Sequence, residues 1–190
     1  MKVWIDVFSG DEMISDSYKQ NVIMNGACLE VQAKYITKGN EKVDVGGGNA
    51  FGGGEESDGE EEGETVINVV DAHKLQETQL SKKDFMTMVK AYLKRVVAHL
   101  KEKGKEDRVA DFQKGATEMI KFIVGKYDEM MIFTGESYDC EAGLAFSYTK
   151  DGETEPVFLF FIDGMREEKF WRGSSTKFLS AILMKIETKI

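Results

Sequence analysis

The stretch Gly143-Leu-Ala-Phe-Ser-Tyr-Thr-Lys-Asp-Gly-Glu-Thr-Glu-Pro-Val-Phe-Leu-Phe-Phe-Ile-Asp-Gly164 predicts two β-strands joined by a tight turn. The turn is expected at Asp151-Gly152, because this dipeptide tolerates the positive φ angles of hairpin turns. The first strand alternates apolar and polar residues, which is typical of a half-buried strand, whereas Val157 to Ile162 is apolar on both faces. The hairpin is therefore predicted to lie at the centre of a sheet core. The alternating apolar residues are Leu144, Phe146 and Tyr148.

Residues 1–16 are predicted to contain one strand followed by a loop. Between Met1 and Phe8 the aliphatic side chains alternate onto one face, and Lys2, Trp4 and Asp6 lie on the other. The next segment, residues 10–16, is polar and acidic, and it is expected to form a loop. The apolar face of the strand consists of Val3, Ile5 and Val7.

Alternating or β-branched segments predict further strands before and after the helical part of the chain. Ala27 to Ile36 places Cys28 on its polar face, where solvent could reach the thiol. Thr65 to Asp71 has the β-branched composition of a strand, and a short strand is predicted over Met130 to Phe133. The inward residues of the first of these segments are Leu29, Val31, Ala33 and Tyr35.

Helical periodicity begins at Ser81. Ser81-Lys-Lys-Asp84 has the form of a capping box, in which a side-chain oxygen accepts a hydrogen bond from a free backbone amide. Lys103-Gly104-Lys105 interrupts the helical pattern, and a second apolar stripe ends near Gly125. Two helices with a short connection predict an antiparallel hairpin over residues 81–125 with lysine-rich outward faces. The stripes are Phe85, Met88, Val89, Tyr92, Val96 and Leu100, then Val109, Phe112, Ala116, Met119, Ile120 and Ile123.

Charge is distributed unevenly along the chain. Seven acidic residues lie between positions 55 and 64, so the remainder carries −2 of the net charge of −9. The glycine-rich acidic tract 39–64 is expected to be mobile, because it has few apolar residues to offset the entropy of ordering. Residues 82–108 contain nine Lys or Arg against four acids, which predicts a basic helical surface. Most such surfaces are merely solvated, and specific nucleic-acid binding is not expected because no aromatic platform is interleaved.

Length and cysteine content limit the class of protein. A chain of 190 residues is long enough for one well-cored domain. Cys28 and Cys140 are too few for a disulfide framework, and they do not form the CxxC pairs of a zinc site. The sequence contains no signal-peptide pattern and no apolar run of roughly 20 residues. The chain is therefore predicted to be cytoplasmic, reduced and without a membrane span.

Short motifs distributed along the chain add a family resemblance. They are Asp11-Glu-Met13 with Ser15-Asp16, Gly47-Gly48-Asn49-Ala50, Leu75-Gln-Glu-Thr78, Gly135-Glu-Ser137, Phe160-Phe-Ile-Asp-Gly164 and Glu167-Glu-Lys169. In this order and spacing they resemble the translationally controlled tumour protein family, also called histamine-releasing factor. The resemblance implies one α+β domain over residues 1–170, with a small twisted, mainly antiparallel β-sheet core of the β-tent, Mss4-like type. A projecting antiparallel α-helical hairpin (81–125) and a mobile acidic loop (39–64) complete the implied fold.

The same resemblance implies a function. It implies a non-enzymatic cytosolic interaction protein that binds calcium weakly, associates with tubulin and microtubules, and engages growth-regulatory partners. Glu12 and Glu136 match glutamates implicated in contacts with a small GTPase of the Rheb type. The helical region is implied to bind tubulin, and a basic surface suits acidic microtubules. The basic residues concerned are Lys82, Lys83, Lys90, Lys94, Arg95 and Lys101.

The resemblance implies several further properties. Survival proteins of the Bcl-2 type and elongation factors are possible partners, and non-classical secretion is compatible with a cytoplasmic location. Neither an obligatory cofactor nor zinc is expected. Calcium ligands are not identifiable, because the acidic residues 55–64 lack the spacing of an EF-hand, and a flexible acidic tract binds weakly.

The chain departs from the family pattern at its C-terminus. Phe170 occupies a position where the family often has a cysteine implicated in dimer formation, which argues against covalent dimers. Residues 171–190 extend beyond the resemblance. They are interpreted as a lineage extension, a docking helix, or a vector-encoded or misread terminus, and the sequence does not separate these origins. Their apolar residues Phe178, Leu179, Ile182, Leu183 and Ile186 would line one face of a short helix.

A thiol-dependent redox enzyme is the competing hypothesis, because methionine sulfoxide reductases have a similar fold. Cys140 or Cys28 would then be the nucleophile, which requires an activated thiolate. Asp139 and Glu141 flank Cys140, and their negative charges disfavour a thiolate. No sequence feature links either histidine of the chain to a cysteine. An incidental role for both cysteines is therefore the preferred interpretation.

Overall fold

Residues 1–38 and 64–169 are described by the computed structural model. In chain order their strands are β1 (Lys2–Asp6), β2 (Glu12–Ser15), β3 (Gln20–Ile23), β4 (Cys28–Gln32), β5 (Tyr35–Lys38), β6 (Glu64–Ile67), β7 (Gln76–Thr78), β8 (Met131–Thr134), β9 (Ala145–Thr149), β10 (Pro156–Phe161) and β11 (Met165–Lys169). The helices are α1 (Asn68–His73), α2 (Lys82–Glu102) and α3 (Glu106–Gly125), and Tyr127–Glu129 and Ile162–Gly164 form short 3₁₀ turns. The predicted acidic loop, apart from Glu64, and residues 170–190 lie outside the described residues.

The two strands of the predicted hairpin, β9 and β10, occupy the central positions of the largest sheet. Its strand order is β3-β4-β10-β9-β8-β7, and each neighbouring pair is antiparallel. Gly152 has a φ angle of +82° in the connecting turn, which matches the turn predicted there. A second sheet has the order β11-β1-β2, and β5 and β6 form a separate two-stranded ribbon. The predicted α+β fold with mainly antiparallel sheets is confirmed.

Both faces of the six-stranded sheet are covered at its central strands, whereas the edge strands β3 and β7 are partly exposed. On one face, Phe146 and Leu159 pack with the apolar stripes of α2 and α3. On the other face, Phe158 packs in a cluster that contains Met13 of β2 and Val69 of α1. Full burial of one such phenylalanine contributes about 1.5–3 kcal/mol, so apolar contacts on both faces stabilise β9 and β10.

Two sequence predictions are wrong because a second layer covers this sheet. β9 is predicted to be half-buried, but Ala145 and Ser147, which lie between its alternating apolar residues, are buried as well. Cys28 is predicted to be accessible, yet it is fully buried in the cluster beneath the helices. Alternation within one strand does not reveal that both of its faces will be covered.

The helical hairpin forms as the sequence predicts. The Ser81 Oγ accepts a hydrogen bond from the backbone N–H of Asp84 (3.1 Å), and α2 begins at the next residue. Gly104 has a φ angle of +69° in the turn between the helices. The buried residues are Phe85, Val89, Tyr92, Val96 and Leu100 in α2, and Phe112, Gly115, Ala116, Met119 and Ile123 in α3.

Two features of α3 hold the hairpin against the sheet. The Arg108 Nε and Nη2 donate hydrogen bonds to the Asp163 carboxylate (3.0 and 2.9 Å), and its Nη1 donates to the Asn25 carbonyl (2.9 Å). A Cβ atom on Gly115 would overlap the Met24 carbonyl, so α3 approaches the β3–β4 turn as closely as a glycine permits. The hairpin is therefore fixed in position by Arg108 and Gly115, within the first three turns of α3, as well as by its apolar stripe.

Residues 10–16 contain a strand, so the predicted loop is wrong. β2 pairs with β1, and its Met13 and Ile14 are buried on the face of the large sheet opposite the helices. In the first strand, Val7 is predicted to face inward and Asp6 outward. This prediction is wrong, because Asp6 is buried whereas Val7 is only half-buried. β2 has only four residues, of which the first is an acid and the last a serine, and this is too short an apolar pattern to predict a strand.

The segment around residue 68 differs from its prediction as well. The strand predicted from Thr65 to Asp71 ends at Ile67, and α1 begins at Asn68, whose Oδ1 accepts a hydrogen bond from the Lys34 backbone N–H (2.9 Å). Tyr35 is predicted to face inward but is exposed, because β5 leaves the large sheet and pairs with β6. A composition rich in β-branched residues could not indicate either change of direction.

Candidate functional site

The two glutamates that the sequence singles out lie at one edge of the molecule. Glu12 begins β2, and its side chain is 48% exposed; Glu136 follows β8, and its side chain is 61% exposed. The end of α1 links them: His73 Nδ1 lies 3.0 Å from Glu12 Oε1, and Lys74 Nζ lies 2.9 Å from Glu136 Oε1. We call this surface the Glu12–Glu136 edge and define it by Asp11, Glu12, His73, Lys74, Glu136 and Ser137.

A direct contact between two distant loops holds the edge together. The Ser137 Oγ donates a hydrogen bond to Asp11 Oδ2 (2.6 Å), and the Ser137 backbone N–H donates to the same oxygen (3.3 Å). A Cβ atom on Gly135 would overlap the Asp11 carboxylate, so this close approach requires glycine. The loop after β8 therefore rests on the residue that precedes Glu12, and it sets the position of Glu136 relative to Glu12.

Asp6, which the sequence placed on the outer face of β1, organises the backbone behind this edge. Its Oδ2 accepts hydrogen bonds from the backbone N–H groups of Phe8 (2.9 Å) and Ser9 (2.8 Å) and from the Ser9 hydroxyl (3.2 Å). Its Oδ1 accepts a hydrogen bond from the Gly143 backbone N–H (3.0 Å). One buried carboxylate thus joins the β1–β2 turn to the far end of the loop that contains Glu136. An Asp followed by a polar turn is a known Asx-turn signal, and it could have identified this role.

His73 gives Glu12 an unusual neighbour. The His73 side chain is only 3% exposed, and neither ring nitrogen makes a well-directed hydrogen bond to the described residues, although Glu12 Oε1 is close. Burial lowers the pKa of His73, and the Glu12 carboxylate opposes this effect only in part. Burial, followed by the charges of Glu12 and Asp71, raises the pKa of Tyr18, whose ring lies 5.8 Å from that of His73. His73 is therefore neutral near pH 7, and it leaves the charge of Glu12 uncompensated.

Lys74 has a different relation to Glu136. It ends α1 in a left-handed conformation, with a φ angle of +51°, which directs the chain into β7. Its hydrogen bond to Glu136 raises the pKa of Lys74. Both side chains are well exposed, and exposed pairs of this kind hold each other only weakly. A cation from another protein could therefore replace Lys74 as the partner of Glu136 at little cost.

The structure separates the six predicted basic residues into two groups. All six side chains are exposed. Four of them follow one another at intervals of seven, four and seven residues, which places them in one row along α2. This row lies opposite the buried stripe, and within α2 its other members are Thr87 and Ala98, so no acid interrupts it. We call it the lysine stripe; it consists of Lys83, Lys90, Lys94 and Lys101.

The other two basic residues are engaged within the molecule. Lys82 Nζ donates a hydrogen bond to the Val124 carbonyl (3.0 Å), which connects the start of α2 to the end of α3. Arg95 Nη1 donates to the Glu141 carbonyl (2.8 Å), and its guanidinium lies 4.1 Å from the ring centre of Phe8. Such a short cation–π distance stabilises the packing of α2 on the β1–β2 turn. These two residues are therefore less available to a partner than the lysine stripe.

The outward face of α3 is mixed in charge, so the prediction of two lysine-rich faces holds only for α2. At intervals of three and four residues, three acids and two lysines share one row along α3, in the order Asp107, Asp111, Lys114, Glu118 and Lys121. Neighbouring charges of opposite sign cancel over a few ångströms. The two helices of one hairpin therefore present different electrostatic surfaces.

The cysteines are not arranged for redox chemistry in the described part of the chain. Burial raises the pKa of the Cys28 thiol to about 12, so this thiol is protonated at physiological pH. Cys140 lies half-buried on the loop that joins β8 to β9, and no disulfide links it to Cys28. Residues 1–38 and 64–169 contain no cluster of three or more His, Cys, Asp or Glu that could hold a metal ion. Among these residues, no helix is long and apolar enough to cross a membrane.

Comparisons with known proteins point to one family. The profile described as "Translationally controlled tumour protein" matches residues 1–166. "Translationally-controlled tumor protein homolog 1" of Dictyostelium discoideum is 40% identical over 175 residues, which cover 90% of this chain and 100% of the relative. The homolog of Plasmodium chabaudi chabaudi is 38% identical over 180 residues, with the same two coverages.

A solved structure extends the likeness to the fold. The "Translationally Controlled Tumor-associated Protein p23fyp from Schizosaccharomyces pombe" superimposes with a TM-score of 0.74 at 33% identity, covering 90% of this chain and 100% of that one. The solution structure of the Caenorhabditis elegans protein has a TM-score of 0.59 at 24% identity, which supports the fold alone.

Proposed function

This chain belongs to the translationally controlled tumour protein family, and from that premise we propose that it is a non-enzymatic interaction protein whose main docking site is the Glu12–Glu136 edge. The partner that we propose is a small GTPase of the Rheb type. The observation that supports this site is that Glu12 and Glu136, which are distant in sequence, lie beside two adjacent residues, His73 and Lys74.

The chemistry of the edge suits a partner with exposed arginine or lysine side chains. Two half-exposed carboxylates offer acceptors for charge-assisted hydrogen bonds, and an arginine could bind either one in a bidentate manner. Neutral His73 does not compete for Glu12, and the exposed Lys74 competes only weakly for Glu136. Charges at the rim of an interface mainly set the association rate and the orientation of the partners.

Calorimetric titration of the full chain with a purified GTPase of this type tests the proposal. The double variant Glu12→Gln/Glu136→Gln should bind at least about fivefold more weakly, because it removes two charged acceptors. The matched control is Glu153→Gln/Glu155→Gln, which changes the charge equally at two exposed residues of the β9–β10 turn. If both variants lost the same affinity, the loss would be explained by the change in net charge alone. If the first variant bound with unchanged affinity, the Glu12–Glu136 edge would not be the docking site.

The lysine stripe supports a second function, the binding of tubulin. A row of four exposed lysines without an intervening acid complements the acidic surface of a microtubule, and the attraction should weaken as salt screens it. Co-sedimentation with microtubules should be reduced in Lys90→Gln/Lys94→Gln and retained in Lys114→Gln/Lys121→Gln, which alters the mixed face of α3. Equal reduction in the two variants would contradict a specific role for the stripe.

Other implied properties stay predictions from the resemblance. They are weak calcium binding, partners of the Bcl-2 and elongation-factor types, and a cytoplasmic location with non-classical secretion. The acidic residues 55–62 lie outside the described residues. Calorimetric titration with calcium would compare the full chain with Glu60→Gln/Glu61→Gln/Glu62→Gln. If the parent chain released heat on binding calcium and the variant did not, calcium binding would be assigned to this tract.

The redox alternative is not favoured. A thiol with a pKa of about 12, buried in the core as Cys28 is, cannot supply a thiolate at neutral pH. The double variant Cys28→Ser/Cys140→Ser should retain GTPase binding, and the natural chain should not reduce peptide methionine sulfoxide. Turnover that disappears in the double variant would restore the enzyme hypothesis.

A further inference from the structure

A cleft of about 450 Å³ opens where the α2–α3 turn faces the small sheet β11-β1-β2. Its volume falls within the range of small-molecule sites, and none of its lining residues belongs to the Glu12–Glu136 edge or to the lysine stripe. The floor is apolar and is formed chiefly by Trp4, Leu100, Ile162 and Met165. Trp4 is half-buried, and its indole is the largest aromatic side chain among the residues that line the cleft.

The rim of the cleft is positively charged once internal ion pairs are considered. Its two acids already have partners: Asp163 accepts hydrogen bonds from Nε and Nη2 of Arg108, and Glu167 Oε1 lies 3.1 Å from Lys2 Nζ. Lys103 and Lys105 border the cleft and form no ion pair with any residue in the described ranges. Arg166, a third cation of the rim, hydrogen-bonds Glu168 (2.9 Å). Two cationic side chains are therefore left to interact with whatever enters the cleft.

We propose that this cleft binds a small organic anion that has an aromatic ring. The ring would lie on the Trp4 floor, where stacking and apolar contact are favourable. The anionic group, a carboxylate or phosphate, would be bound by Lys103 and Lys105, whose ammonium groups act as flexible point charges. A neutral aromatic molecule would gain no attraction from the two cations, and a simple anion would make no use of the floor. Both parts of the ligand are needed for affinity.

Phenyl phosphate is a suitable probe, because it combines a ring with a dianion. Trp4 fluorescence reports on the floor directly in a full-length Trp171→Phe chain, which contains Trp4 as its single tryptophan. We expect a saturable change in Trp4 emission with phenyl phosphate, and at least about fivefold weaker responses to phenol or to inorganic phosphate. A response to inorganic phosphate equal to that of phenyl phosphate, or no saturation at all, would overturn the proposal.

Substitutions in the rim test the location of the site. Lys103→Gln/Lys105→Gln should weaken phenyl phosphate binding at least about fivefold and reduce its dependence on salt. The matched control Lys114→Gln/Lys121→Gln should bind as the parent does. All four lysines are exposed, so the fold should be retained, and amide chemical shifts of residues 99–105 and 162–167 provide a second readout. Full affinity in the first variant, or shifts confined to other residues, would contradict the site.

Discussion

The Glu12–Glu136 edge and the lysine stripe are two charged surfaces built in different ways. The edge brings together side chains from β2, the end of α1 and the loop after β8, and its central hydrogen bond joins residues 126 positions apart. The stripe arises from four lysines on one helix, at a spacing that any regular helix would convert into a row. The comparison teaches that two surfaces of opposite charge on one small protein can differ in how far the core determines the positions of their side chains.

This difference has an energetic consequence. The edge depends on buried groups behind it, above all Asp6 and Gly135, so a change in those groups should alter stability and partner binding together. The lysines of the stripe point into solvent, so changing them should alter binding alone. Four experiments separate the two surfaces on this basis.

The largest effect is expected from Asp6→Ala. The substitution removes the acceptor of four hydrogen bonds in a buried place, so the free energy of unfolding should fall by about 3 kcal/mol. Urea unfolding measures the change, and GTPase binding should weaken in the same variant because the β1–β2 turn loses its support. The exposed Asp16→Ala is the control. A loss below about 1 kcal/mol would mean that the carboxylate does not organise the edge.

A smaller effect is expected from Gly135→Ala. The added methyl group would overlap the Asp11 carboxylate and separate it from Ser137, at a cost of about 1–2 kcal/mol. GTPase binding should weaken, whereas microtubule co-sedimentation should be unchanged. Gly125→Ala is a matched control, because a methyl group there meets open space. If both surfaces lost binding, the edge and the stripe would not be independent.

Stability should depend on pH through His73. Because its pKa is lowered in the folded protein, the unfolded chain binds the extra proton more readily, and stability is lost as the pH falls below about 6.5. Above that pH the contribution of neutral His73 is fully present. Urea unfolding between pH 5 and 7.5 should show this slope in the parent chain and in His99→Gln, and a flatter one in His73→Gln. The same slope in His73→Gln would assign it to another group.

The smallest effect on stability is expected from Lys90→Gln/Lys94→Gln. Both side chains are exposed, and no described contact would be lost, so the free energy of unfolding should change by less than about 0.5 kcal/mol. Microtubule binding should nevertheless fall, and its dependence on salt should become less steep. A large change in stability would show that the stripe also supports the fold.

Prediction from sequence succeeded where the signal is local and repeated. The hairpin turn at Gly152, the Ser81 cap and both apolar helix stripes were predicted and are confirmed, because each depends on residues within a few positions of one another. Prediction failed for β2 and for the burial of Cys28. In both cases the deciding neighbours come from distant segments: β1 pairs with β2, and the helices cover Cys28.

The candidate sites divide along the same line. The lysine stripe follows from the sequence as soon as a helix is predicted there. The roles of His73 and Lys74 had no local signal, and the role of Asp6 had only the Asx-turn signal of an Asp before a polar turn. Glu12 and Glu136 were selected by family resemblance alone, and nothing in the sequence indicated that both would lie at the end of α1. The contact between Asp11 and Ser137 brings their two loops together there.

The sequence by itself determined the central hairpin, the helical hairpin with its lysine row, and the family to which the chain belongs. Helix caps, turns and hydrophobic periodicity depend on interactions among residues a few positions apart, so they can be predicted from the amino-acid sequence. Only the tertiary structure decided which carboxylates became buried supports, which became an exposed edge, and where a cleft remained between the α2–α3 turn and the small sheet β11-β1-β2. Those outcomes depend on which distant surfaces exclude water from one another, and burial of that kind is a property of the assembled core.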